Sequence, residues 1–139
     1  MPGDKRFNVR VYGLWLQDGH VLVSDELIRG KRIYKFPGGG LEYGEGMIDC
    51  LKREWMEELG LEIQVLQHFY TTDFFQASAY DASQVISIYY IVQPVLPEGY
   101  IFPETGAESF LFMPADAVLS SRISLPIDKK VAEMLVSDH

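Results

Sequence analysis

The stretch that decides the fold prediction is residues 39–61, GGLEYGEGMIDCLKREWMEELGL. Its first residues are mostly glycine and polar, which indicates a loop, because glycine frees the backbone from regular structure. From Met47 onward large apolar residues recur at helical spacing, i, i+3, i+7 and i+11: Ile48, Leu51, Trp55 and Leu59. Gly60 stands where a glycine commonly ends a helix. The stretch therefore predicts a loop followed by a helix over Met47–Leu59.

Three glutamates share one edge of this predicted helix. On an ideal wheel Glu57 and Glu58 lie about 60° and about 40° to either side of Glu54, next to the apolar face. Like charges at this spacing repel, and the negative end of the helix dipole disfavours them. Such a cluster either raises its own pKa values or holds a cation. Hard oxygen ligands suit Mg²⁺ or Mn²⁺, whereas an acidic helix face alone is commonly just solvated.

The loop before the helix supplies further groups. The backbone of Gly38, Gly39 and Gly40 can approach a ligand closely, and its carbonyl oxygens can coordinate a hard cation. Arg53 lies four residues before Glu57 and can orient that carboxylate. An acid near the start of a helix, here Glu45, is favoured by the helix dipole, which indicates a structural role in bracing the loop.

The spacing of these residues resembles the Nudix box, G-x5-E-x7-R-E-U-x-E-E-x-G-U, where U is bulky and apolar. The positions that match in register are Gly39, Glu45, Arg53, Glu54, Glu57, Glu58, Gly60 and Leu61. Trp55 is a small departure from the family pattern, because the family more often has an aliphatic residue at this position. We expect it to cause local repacking only. Less specific flanks, Phe36-Pro37-Gly38 and Phe112–Asp116, extend the resemblance over most of the chain.

The resemblance implies an α/β (α+β) fold, in which an α/β/α sandwich surrounds a mixed sheet and the box forms a loop–helix–loop. It implies one domain over residues 1–139 and a divalent metal, Mg²⁺ or possibly Mn²⁺. The implied ligands are Glu54, Glu57, Glu58 and the Gly39 carbonyl, with Arg53 in the catalytic set, Gly38–Gly40 against the substrate, and Glu45 and Gly60 structural. The implied reaction is attack of water on a nucleoside diphosphate linked to another moiety.

Several points stay open at the level of sequence. The general base is Glu54, Glu57, Glu58 or a later acid, for which Glu104 and Glu108 are candidates, although either is more commonly a solvated charge. The substrate is a nucleoside triphosphate, ADP-ribose or another nucleotide sugar, and the attacked phosphorus and the number of metal ions are not determined. The alternative function is a nucleotide-binding or regulatory module of the same fold that does not hydrolyse its ligand.

The composition of the chain limits the kinds of partner that we expect it to bind. The chain has 139 residues, 47% of them hydrophobic, and a net charge of −8. This charge opposes nonspecific binding to nucleic acid or anionic membranes. A single cysteine, Cys50, allows no intrachain disulfide, and we see neither a secretory signal nor an apolar run long enough to span a bilayer. We therefore expect a cytoplasmic protein that binds a nucleotide-derived small molecule, with a homodimer possible.

The remaining elements follow from apolar patterning and turn residues. Asp18-Gly19 predicts a hairpin, and the Pro37–Gly40 segment predicts a break in regular structure. Predicted strands cover Phe7–Leu16, Val21–Val23, Ile33–Phe36, Leu61–Phe75, Val85–Val92 and Phe110–Met113, and a second helix covers Pro126–Val136. Val85–Val92 is nearly all apolar, which predicts a central strand covered on both faces. Several cations could contact phosphates: Arg10, Arg29, Lys31 and Arg32.

Overall fold

Eight strands and three helices make up the part of the chain that the computed structural model describes, residues 6–78, 80–120 and 126–137. In chain order they are β1 (Phe7–Leu14), β2 (Leu16–Gln17), β3 (His20–Ile28), β4 (Lys31–Lys35), β5 (Gly38–Gly40), α1 (Met47–Leu59), β6 (Glu62–Thr71), β7 (Gln84–Val95), β8 (Glu108–Pro114), α2 (Ala115–Ser120) and α3 (Pro126–Ser137).

The central sheet is mixed, as predicted. Its strand order is β5-β1-β7-β6. β1 runs antiparallel to β5 and parallel to β7, and β7 runs antiparallel to β6. In a second sheet β3 pairs antiparallel with β2, β4 and β8. This topology places the glycine strand β5 at one edge of the central sheet, beside β1.

Two tight hairpins direct the chain into and out of β3. Asp18 and Gly19 both have positive φ, 50° and 77°, and Arg29 and Gly30 repeat the pattern at 51° and 80°. Two successive residues with positive φ are the mark of the type I′ turn, whose twist matches that of paired strands. The hairpin predicted at Asp18-Gly19 is confirmed, and the second turn lies at Arg29-Gly30.

Apolar side chains fill both faces of the strands, because successive residues of a strand point to opposite sides. On one face Tyr12 and Leu14 pack with α2 and α3. On the other face Val11 and Trp15 pack with α1. β7 also contributes to both faces, through Tyr89 and Val92. The α/β/α sandwich and the doubly covered central strand are thus confirmed.

Several boundaries differ from prediction. Gly38–Gly40 is a short strand rather than a break, since its backbone pairs with β1 although glycine has low strand propensity. The predicted strand Leu61–Phe75 ends at Thr71, whereas β7 continues to Val95. α2 was not predicted, because six residues carry too little helical periodicity.

Helix α1 begins and ends where the sequence predicts, but its buried face is rotated slightly. Cys50 is buried, whereas Ile48 is 44% exposed. Gly60 ends the helix in a left-handed conformation, φ 67°, and its N–H donates to the carbonyl of Met56. Burial raises the pKa of the Cys50 thiol to about 12, which agrees with a packing role.

Within the described residues, no helix combines the length and apolar character required to cross a membrane.

Candidate active site

Gly39 of the glycine strand lies in close contact with Glu54 of helix α1. A Cβ built on Gly39 would lie 2.5 Å from each carboxylate oxygen of Glu54. Any side chain at this position would require the Glu54 carboxylate to move, so glycine is the residue that lets the carboxylate lie against the backbone of β5. The Glu54 side chain is only 15% exposed. This contact brings together two of the predicted ligand positions.

Arg53 connects the helix to the loop before it. Its Nε and Nη2 donate to the two carboxylate oxygens of Glu45, at 3.0 and 2.8 Å, and Nη2 also donates to the Gly40 carbonyl at 3.1 Å. Its Nη1 donates to Glu54 at 3.0 Å and to Glu57 at 3.3 Å. Arg53 therefore orients Glu57, as the sequence indicates, and also holds Glu54.

Glu45 braces the loop through this network. Besides the two bonds from Arg53, one of its oxygens accepts a bond from the backbone N–H of Glu42 at 2.9 Å. These hydrogen bonds, that from Arg53 first, lower the pKa of Glu45 to about 2. A carboxylate that is fully ionised and bonded to the loop agrees with the structural role predicted for it.

The other two acids of the stripe differ in environment. Glu57 is 59% exposed. Glu58 is partly buried, and this burial, followed by the charge of Glu108, raises the pKa of Glu58 to about 8. A raised pKa is one of the two outcomes that crowding of acids predicts, and a bound cation would reverse it by favouring the charged form.

Strand register adds two acids beside Glu58. Glu26 of β3 stands opposite Glu108 of β8, and both line a shallow depression with Glu58. Burial and a hydrogen bond with Glu26 raise the pKa of Glu108. Lys35 balances part of this charge, because its Nζ lies 3.3 Å from a Glu26 oxygen. Glu108 therefore joins the predicted cluster, and Glu26 is an acid that the sequence did not indicate.

Other candidates from the sequence lie apart from the cluster. Glu104 is exposed on the loop before β8, and across the described ranges no hydrogen bond or ion pair connects it to the box glutamates. Arg32 pairs with Asp25. Arg29 lies over the ring of Tyr80, 5.3 Å from its centroid. Glu104 is thus a solvated charge in this structure.

Trp55, the departure from the family pattern, is accommodated by a second glycine. Its Nε1 donates to the Pro37 carbonyl at 3.2 Å, and a Cβ on Gly13 would lie 2.7 Å from the same nitrogen. Gly13 thus makes room for the indole in the core between α1 and β1. The expected local repacking involves a residue far from the box in sequence.

The donor chemistry fits a divalent cation. The Gly39 backbone and the Glu54 carboxylate touch without an intervening side chain, and a backbone carbonyl together with carboxylates is the oxygen ligand set that Mg²⁺ and Mn²⁺ prefer. As the side chains stand, no group of three or more Asp, Glu, His or Cys residues in the described part of the chain is arranged to hold an ion. Arg53 instead forms ion pairs with the carboxylates of both Glu54 and Glu57.

What the sequence could not show is the contribution of the strands. Glu26 and Arg10 reach the neighbourhood of the box through sheet register, in which Glu26 faces Glu108 and Arg10 faces Gly40. Glu26 carries no local signal in the sequence, and Arg10, although a candidate phosphate contact, is not placed beside the box by any local pattern. Only the pairing of strands distant in sequence reveals both positions.

A helix bearing carboxylates, held against a glycine strand at the edge of a mixed sheet, is the loop–helix–loop of a Nudix-type protein. The NUDIX domain model matches residues 4–134 of the chain. The chain therefore belongs to the NUDIX domain family.

Individual relatives agree with this assignment. Phosphatase NudJ of Escherichia coli K12 is 40% identical over 52 residues, which cover 37% of this chain and 33% of that protein. The fold is similar to that of the E. coli ORF135 protein, with TM-score 0.79, 17% identity and coverage of 96% and 91% of the two chains. A NUDIX hydrolase from Nitrosomonas europaea has TM-score 0.79, 21% identity and coverage of 96% and 90%.

Proposed function

We propose that the chain hydrolyses a diphosphate linkage in a nucleoside diphosphate joined to another moiety. The observation that carries the proposal is the contact between the Glu54 carboxylate and the Gly39 backbone, with Glu57 and Glu58 on the same helix edge. Membership of the NUDIX domain family supports the reaction type.

Glu54, Glu57, Glu58 and the Gly39 carbonyl would hold Mg²⁺ or Mn²⁺. When bound, such an ion would neutralise charge on phosphate oxygens and lower the pKa of a water molecule. The residues of the chain fix the geometry around it. Arg53 orients two of the carboxylates, and Glu45 anchors Arg53 to the loop.

A carboxylate of the same cluster would accept the proton of the attacking water. The candidates are Glu54, Glu57, Glu58 and Glu108, and Glu108 is the later acid that strand pairing brings beside the box. Glu104 is left out of this set because it is exposed and apart. Comparing the pH dependence of kcat among single Gln variants of the four would identify the base.

The test is to separate and identify the nucleotide and phosphorylated products formed from a panel of nucleoside triphosphates, ADP-ribose and other nucleotide sugars in the presence of Mg²⁺. We expect at least one diphosphate to be hydrolysed, and we expect Glu57→Gln and Glu58→Gln to lower its turnover by roughly 10²- to 10⁴-fold while the fold survives. Glu133→Gln on α3 removes the same charge at an exposed position and serves as the control.

Two results would count against the proposal. Near-normal turnover in both Gln variants would overturn the assigned metal-binding roles. If no diphosphate is hydrolysed but a nucleotide raises the melting temperature, the chain is instead the nucleotide-binding module that the sequence leaves as an alternative.

A further inference from the structure

A cavity of about 160 Å³ opens on the face of the central sheet that carries α3. Its walls include Asn8, Arg10 and Tyr12, which are alternate residues of β1 and so share one face of the strand. Ser87 of β7 and Gln76 of the loop after β6 also contribute polar groups to the lining. We refer to this space as the Arg10 cavity.

The charge of the Arg10 cavity is opposite to that of the whole chain. Arg10 and Lys35 both line it, and no Asp or Glu is among its lining residues in the described part of the chain. The chain as a whole has a net charge of −8. Two cations without a lining acid favour an anionic ligand, since an enclosed site weakens the screening of charge by water.

Arg10 is the cation of the pair that lacks a carboxylate partner. Its Nε donates to the Tyr12 hydroxyl at 2.7 Å, and within residues 6–78, 80–120 and 126–137 no acid lies within ion-pair distance of it. Lys35, in contrast, pairs with Glu26. The Arg10 side chain is half-buried, and its Nη groups have no protein acceptor in the same ranges, so their N–H donors are available to a ligand.

The position of Arg10 links the cavity to the carboxylates. Arg10 pairs with Gly40 in the β1–β5 register, and its Nη1 lies 3.5 Å from the point where a Cβ of Gly40 would be. The next glycine, Gly39, contacts Glu54. A diphosphate that extends from Glu54 to the Arg10 cavity would therefore lie next to Arg10.

We infer that Arg10 is a specificity-determining residue that binds the phosphate adjoining the organic group of the substrate, while that group lies in the Arg10 cavity. The inference rests on the proposed function. It places the diphosphate between Glu54 and Arg10, and the organic group of the substrate in the Arg10 cavity. The guanidinium suits this task because its planar donors match two phosphate oxygens at once. The amide and hydroxyl groups of Asn8, Gln76 and Ser87 favour a polar organic group.

The experiment compares the wild-type protein with Arg10→Gln and Arg10→Lys. We measure kcat and KM for the best diphosphate substrate of the panel, and by calorimetry the Kd of methylenediphosphonate, which cannot be hydrolysed, with Mg²⁺ present. We expect Arg10→Gln to raise both KM and Kd about tenfold or more, with a smaller effect on kcat. Arg10→Lys should recover part of the binding, because it keeps the charge but loses the two-point contact.

Lys130→Gln is the matched control, since Lys130 lies exposed on α3 and the change removes the same charge. It should leave KM and Kd near the wild-type values. If Arg10→Gln lowers only the melting temperature and leaves KM and Kd unchanged, Arg10 merely supports Tyr12 and the inference fails. It also fails if the wild-type protein does not bind methylenediphosphonate.

Failure of the proposed function is a separate result. If the wild-type protein hydrolyses no diphosphate but Arg10→Gln still weakens the binding of methylenediphosphonate, the anion site stands and the hydrolase does not. If the wild-type protein hydrolyses a diphosphate and Arg10→Gln equals it in KM and Kd, the hydrolase stands and the role of Arg10 does not.

Discussion

At Gly39 the missing side chain matters more than the conformational freedom of glycine. The space that a methyl group would need is taken by the carboxylate of Glu54. Any larger residue must displace Glu54, and Arg53, which donates to Glu54, would move with it. The position of the Glu54 carboxylate on α1 thus depends on the absence of a side chain at Gly39 of β5.

We predict that Gly39→Ala lowers turnover by roughly 10²-fold or more, because displacing a positioned group by about 1 Å costs that much, and that it lowers the melting temperature. Gly106→Ala is the control, since a Cβ there would meet nothing within 4 Å. Diphosphate hydrolysis and thermal unfolding of the two variants provide the measurements. Wild-type turnover in Gly39→Ala would show that the Glu54 carboxylate need not lie against β5.

At this scale the sequence identifies the residues that are close along the chain. Glu54, Glu57 and Glu58 lie within five positions, so helical geometry alone places them on one edge. Glu26 could not be found this way, because it lies on a strand whose partner is distant in sequence. Arg10 is a candidate phosphate contact in the sequence, but only the pairing of β1 with β5 places it beside the box. In the sequence Glu104 and Glu108 are equally good candidates for the later acid. Only the pairing of β8 with β3 distinguishes them, because it places Glu108 beside Glu26.

Among the elements, α1 and β1 pack together through a large and a small residue that face each other. β1 has a glycine, Gly13, where the helix presents the indole of Trp55, and the indole N–H donates to the Pro37 carbonyl. A large and a small residue facing each other keep the core at normal packing density. The pair also explains how the box accepts tryptophan at a position that is more often aliphatic.

We predict that Gly13 and Trp55 are energetically coupled. Gly13→Ala should cost about 1–3 kcal/mol by overpacking, and Trp55→Leu about 2–4 kcal/mol through the cavity and the lost hydrogen bond. In the double variant the smaller leucine leaves space for the alanine methyl group. The loss of unfolding free energy caused by Gly13→Ala should therefore fall toward zero. Denaturant unfolding of the four proteins measures the coupling, and strictly additive effects would contradict it.

Element boundaries were predictable where local patterns are long. α1 has thirteen residues with a clear apolar period and a terminal glycine, and its limits agree with prediction. α2 and β5 are short, and β5 consists of three glycines, so neither carries the propensity that marks a helix or a strand. β5 is a strand because β1 offers it hydrogen bonds, which no local pattern reports.

Across the whole molecule, a buried polar contact joins α3 to the central sheet. The Tyr89 hydroxyl of β7 donates to Asp128 at 2.7 Å, and Asp128 is only 2% exposed. Burial raises the pKa of Asp128 to about 7, although the bond from Tyr89 and the nearby charges of Lys35 and Arg10 oppose the shift. The second face of the sandwich is therefore covered by a helix with a titratable group beneath it.

This contact makes stability depend on pH with a definite sign. An unfolded aspartate has a pKa of about 3.9, so between about pH 4 and pH 7 the native state binds more protons than the unfolded state. The free energy of unfolding contributed by Asp128 should fall as pH rises through this range and level off above it. The total change should be a few kcal/mol at most.

Asp128→Asn keeps an acceptor for Tyr89 but cannot ionise, so relative to it the wild-type protein should lose stability from pH 4 to pH 7. The comparison is made by thermal unfolding across this range, with Asp116→Asn, at an exposed position of α2, as the control. Parallel curves for the wild-type protein and Asp128→Asn would rule out a proton taken up by Asp128 on folding.

The parallel pairing of β1 with β7 has a consequence for how the protein is made. Phe7 pairs with Gln84, and Leu14 with Ile91, so the strand that borders the glycines finds its inner neighbour only after most of the chain has been synthesised. Contacts this far apart in sequence slow folding, because a long loop must close first. A nascent chain that has exposed the entire box on the ribosome still lacks the strand that holds β1 in place.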